Sequence, residues 1–237
     1  MKKVCLIMAV VMMGFVALVS AQKPFAGTIK MHTHIEGTDD PNILSQGESD
    51  YSIQIFGNYT KTVVSQEGFG VTSITNGDAK TAVSIIEIMG MGKYYVEMSA
   101  EKIQDAIKNT KYDYNKTGEK KMIAGYEAEK VVVTETDLET DESKTFVVYI
   151  SQGLNTGDDI NFMETPGLAG YPLRTEVKRD IDGTEITIIT EAAEVIPSKK
   201  IKQVDFLMPS DAQDIHTNPQ LMKMLGMGGD DEDEDED

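Results

Sequence analysis

The side chains able to do chemistry are few and scattered. The chain has three histidines. His32 and His34 lie two apart in an alternating stretch, 25–36, which puts both rings on one face of a strand. Two imidazoles at that spacing can share a metal. His216 is far along the chain, so a solvated pair accounts for them better. Asp158, Asp159 and Asn161 group oxygen donors, as do Asp180 and Asp182. Calcium takes six to eight oxygens, and neither group has the EF-hand spacing. The single cysteine, Cys5, lies in the N-terminal segment. No G-x-S-x-G, H-E-x-x-H or phosphate-binding glycine loop occurs. The residues point away from an enzyme and call for no cofactor and no metal.

Apolar material is more distinctive. Ten of the 14 methionines lie beyond residue 21, and there is no tryptophan. Methionine fills irregular space and adapts to varied apolar groups. Met31, Met89 and Met98 fall in expected strands, and Met222 and Met224 in an expected C-terminal helix. Plain core packing explains them. The sharper reading makes Met31, Met89 and Met98 part of a cavity wall.

The ends of the chain bound its location. Lys2 and Lys3 precede an apolar run, 4–19, and a small-residue site at Val19-Ser20-Ala21. This is the pattern of a secretory signal peptide, 1–21, cut after Ala21. Cys5 precedes the apolar core, so it is not placed as a lipidation cysteine. No later segment is long and apolar enough for a spanning helix. The expectation is an exported protein of the periplasm or cell envelope, soluble after cleavage. It would lack cysteine and thus a disulfide framework. The net charge is −18, and residues 230–237 are all acidic. That field disfavours nucleic acid and anionic membrane surfaces as partners. The segment 229–237 reads as a disordered acidic tail.

Between the ends, short runs alternate apolar and polar residues and are separated by turn chemistry. Runs at 51–56, 59–65, 71–75, 81–89 and 94–98 read as a meander of antiparallel strands. Asn76-Gly77 is a strong hairpin signal. Residues 37–47 and 153–164 read as polar loops. Ser99 caps a helix whose Ile103, Ala106 and Ile107 recur at i, i+3 and i+4. That helix seals a core or forms a lid over a cavity. Later strands are expected at 185–192 and 201–208. Asn218-Pro219 then opens a short apolar helix within 218–228.

The block 118–177 carries a more specific pattern. It reads I-x-G-Y-x-A-x-K at Ile123, Gly125, Tyr126 and Lys130. The strand TFVVYI follows with Tyr149, and then PGLAGYPL with Pro166, Gly167 and Leu168. Gly125 is expected to permit a bulge or close backbone approach within a strand. This pattern resembles secreted Gram-negative proteins of unknown function, including those named for a GLPGLI motif. That group is similar to the LolA/LolB lipoprotein-carrier superfamily. The resemblance implies a half-barrel with covering helices and an acyl chain held beneath a helical lid.

The fold expectation is therefore one α+β domain, 22–217, with a curved, mostly antiparallel sheet and a few covering helices. Two functional readings stand. One is a non-catalytic envelope protein holding an apolar or lipid-like ligand between sheet and helices, against Ile103, Ala106, Ile107 and the three methionines. The other is an envelope module with a fully packed core and a protein partner.

Overall fold

The computed structural model describes residues 23–227 apart from 182; the expected signal peptide and acidic tail lie outside the described residues. The elements run β1 (Ala26–Glu36), α1 (Pro41–Gly47), β2 (Ser49–Phe56), β3 (Tyr59–Gln66), β4 (Phe69–Asn76), β5 (Thr81–Ile88) and β6 (Gly92–Met98). After α2 (Ala100–Ile107) come β7 (Thr110–Ile123), β8 (Tyr126–Asp137), β9 (Ser143–Ser151), β10 (Tyr171–Ile181) and β11 (Thr184–Pro197). The described residues end with β12 (Gln213–Asp214) and α3 (Pro219–Met224).

All twelve strands form one sheet in the order β12-β6-β5-β4-β3-β2-β1-β11-β10-β9-β8-β7. Every pairing is antiparallel except β12 with β6. The order itself requires curvature. β6 and β7 are consecutive in the chain yet stand ten strand spacings apart, about 48 Å in a flat sheet. The link between them is an eight-residue helix, about 12 Å long, with a few flanking residues. The sheet must coil for so short a link to reach. Lys121 on β7 accordingly meets Glu191 on β11 at 2.9 Å, across three intervening strands.

Both faces are covered in parts. Phe206 and Ile201 pack on Ile74, Ile85 and Val83 from one side of the β2–β6 half. Leu221 and Met222 of α3 pack on Ile86, Tyr94 and Val96 from the other. Ser99 caps α2 by accepting from the Lys102 amide, and Asn218 caps α3 by accepting from the Leu221 amide.

Several local expectations need correction. Residues 37–47 include α1, because Asp40 accepts from the Asn42 amide and Pro41 opens the first turn. Residues 201–208 are not a strand. They hold a 3-10 turn at Gln203–Phe206, where Phe206 alone is buried and alternation has nothing to pair with. Gly125 is not in a strand either. Ala124 and Gly125 both have positive φ, +48° and +86°, and form the two-residue turn between β7 and β8. That geometry matches the right-handed strand twist, and glycine adopts it without steric cost.

Candidate functional site

Cross-strand register assembles a continuous patch on one face of the sheet. Met31 stands opposite Tyr51, Ile53 opposite Thr62, and Thr60 opposite Thr75. Thr33 stands opposite Thr190, and Thr175 opposite the same residue from β10. Hydroxyl pairs bridge neighbouring strands, Thr60 with Thr75 at 2.7 Å and Thr33 with Thr190 at 3.0 Å. All of these side chains except Thr33 floor a cavity of about 220 Å³, which Ile160, Asn161 and Glu164 also line.

The roof is the connection 152–170 between β9 and β10. The expectation of a solvated loop for 153–164 is overturned, since Leu154, Ile160, Asn161 and Phe162 are all buried. Leu154 and Ile160 join the main core with Ile29, Met31 and Ile55. Leu168 joins a second cluster with Val131, Val133 and Val148. Burying an aliphatic or aromatic side chain stabilises by about 1.5–3 kcal/mol, so the roof is held by its own apolar residues. Polar ties add to this. The Asp159 amide donates to Asn58 Oδ1 at 3.3 Å, and the Tyr114 hydroxyl donates to the Pro166 carbonyl at 2.9 Å. Lys80 pairs with Asp159 and lies 5.6 Å from the Phe162 ring centre. Gly77 permits this seat, because a Cβ there would stand 2.5 Å from the Asp159 carbonyl oxygen.

The cavity is acidic. Glu164 borders it while remaining exposed at its open side, and the surrounding protein pushes its carboxyl up from the ordinary carboxylate value. Burial likewise raises the Tyr51 phenol. It raises Tyr171 further, with Tyr51 and Glu164 nearby adding to the effect. Among the described residues the lining contains one carboxylate and no lysine, arginine or histidine.

The residues singled out in the sequence separate. Met31 is buried in the cavity wall, whereas Met89 is 80% exposed in a turn and Met98 is half-buried at the end of β6. In α2 only Ile103 is buried; Ala106 is exposed and Ile107 half-buried. No residue of α2 borders the cavity. The helix links β6 to β7, which lie near opposite ends of the strand order. Pro166, Gly167 and Leu168 belong to the roof. Ile123 and Tyr126 flank the β7–β8 turn.

Lys130 and Tyr149 are cross-strand partners in a polar cluster. The Lys130 ammonium and Arg174 guanidinium lie 6.0 and 5.9 Å from the Tyr149 ring centre. Glu119 accepts from Lys130 at 3.0 Å and from the Tyr149 hydroxyl at 3.3 Å. Arg174 bonds Glu176 and Glu191, each at 2.6 Å. Each cation has an acidic partner, and the cluster ties β7 to β11. His32 bonds Asp50 at 2.9 Å and its ring stacks on His34 at 5.4 Å. Among the described residues, no group of three or more His, Cys, Asp or Glu is arranged to hold a metal ion. Nor is any helix among them long and apolar enough to cross a membrane.

No family model matches the chain, and no curated protein matches it significantly. Among solved structures, PNGF-II overlaps 81% of this chain at 13% identity and a TM-score of 0.42. This chain spans only 32% of PNGF-II. The Mycobacterium tuberculosis lipoprotein LppX overlaps 70% of this chain and 85% of its own, at 12% identity and a TM-score of 0.31. A DUF1329 family protein from Desulfovibrio piger overlaps 79% of this chain and 92% of its own, at 10% identity and a TM-score of 0.26.

Proposed function

We propose that this is a non-catalytic, exported cell-envelope protein that takes an apolar or lipid-like ligand, such as an acyl chain, between its sheet and the 152–170 roof. The observation that carries the reading is the open-sided cavity lined by Met31, Tyr51, Ile53, Ile160 and Tyr171. Convergent apolar and polar groups in a concave space are what small-ligand sites present. At about 220 Å³ it is smaller than the ~300–1,000 Å³ of typical sites. A full chain would either extend from the open side or displace the roof.

The test is a thermal melt with a dodecanoyl ligand. A ligand that binds only the native state stabilises by about 2.7 kcal/mol at one hundred times its Kd. For a chain of this size that raises Tm by roughly 5–10 °C. Ile53→Trp, which fills the cavity from its floor, should abolish the shift while the melt remains cooperative. No ligand-dependent shift in the wild type would favour the alternative, an envelope interaction module with a packed core.

A further inference from the structure

The chemistry of the cavity lining narrows the head group its ligand can carry. The one ionisable acid, Glu164, reaches the space from the roof, and no cation stands against it. Among the described residues its carboxylate accepts only from its own backbone amide. The phenols of Tyr51 and Tyr171 share the space, and burial raises both, which keeps them neutral donors. The opposite wall presents the paired hydroxyls of Thr60 and Thr75. Each hydroxyl keeps acceptor capacity after its mutual bond. No cation in the lining compensates a second negative charge, and two carboxylates sharing one cavity repel. The net charge of −18 adds to the exclusion.

We infer that the cavity selects acyl ligands with an uncharged, ester- or amide-linked head over ligands with a free carboxylate, and that Glu164 sets the discrimination. This rests on the acyl-binding reading above. The hydroxyl and phenol groups supply neutral hydrogen bonds to a carbonyl or alcohol. Glu164 acts as the excluding group, the repulsive element by which a site rejects the wrong ligand.

The experiment compares 1-monolauroylglycerol with laurate by calorimetric titration at pH 8, below their micelle concentrations. The chains are matched and only the head differs. The expected result is that the glyceride binds at least about tenfold tighter than laurate. Glu164→Gln should bring laurate to within about threefold of the glyceride, and Glu164→Lys should reverse the preference. Melting curves of both variants check that they fold. Equal affinity for the two ligands in the wild type overturns the inference and leaves the acyl-binding reading intact. So does discrimination that survives Glu164→Gln. Failure of both ligands to bind the wild type overturns the two together.

Discussion

Ile160→Ala isolates the claim that the 152–170 connection is a packed roof. Ile160 is 4% exposed, belongs to the main core cluster and borders the cavity. The change removes three carbons, and at about 0.8 kcal/mol each the lost transfer energy is about 2.4 kcal/mol. A cavity contribution normally adds to this. Here Ile160 borders an existing cavity, so the space it vacates merges with that cavity and the addition is small. The expected loss is about 2–3 kcal/mol, near the lower end of the range for such truncations. Urea unfolding at pH 7 is the assay. With a slope of about 2 kcal/mol/M, the midpoint should fall by roughly 1–1.5 M at unchanged slope. A solvated loop would tolerate the change within about 0.5 kcal/mol. A midpoint shift of that smaller size refutes the roof.

Two glycines test the turns around it. Gly77→Ala should cost about 1–3 kcal/mol, since its Cβ meets the Asp159 backbone. Gly125→Ala, with nothing within 4 Å of a Cβ and φ at +86°, should cost only the left-handed strain, about 1–2 kcal/mol. Both are read by urea midpoint, and the roof's hydrogen exchange should quicken for Gly77→Ala alone. Glu191→Gln addresses the polar cluster. Burial by itself raises the Glu191 carboxyl, but hydrogen bonds from Lys121 and Arg174 hold it below its ordinary value of 4.5. A depressed carboxylate contributes stability above its unfolded value and loses it as pH falls through the folded one. The variant should therefore be less stable at pH 7 by about 1–3 kcal/mol, with the gap closing as pH drops below 4.5. A gap that persists at pH 2 would contradict the assignment.

The alternation of apolar and polar residues made the meander legible. Ile29, Met31, Ile53 and Ile55 reveal their face by spacing alone, and Ser99 and Asn218 announce two helix starts. The meaning of α2 was less accessible. Ile103, Ala106 and Ile107 form an apolar stripe, but a stripe does not say which surface it meets. That depended on strand order, with β11 inserted beside β1 and β7 sent to the far edge. The roof was hidden for another reason. Leu154, Ile160, Phe162 and Leu168 have neither helical nor strand period, and Gly153, Asp158, Asp159 and Gly167 give the segment a turn-like composition. Its apolar content was the available signal. β7 was missed because its long exposed face, rich in Lys and Thr, alternates with few apolar residues.

Hydrogen exchange with and without 1-monolauroylglycerol tests the central claim most directly. Binding beneath the roof should slow exchange of the amides in 154–168 and along β3 and β4, while leaving 100–107 unchanged. Segments that must move to admit a ligand are drawn from the less stable parts of a fold, so the free roof should exchange faster than β1. Protection confined to α2, or none at ligand saturation, would contradict the account.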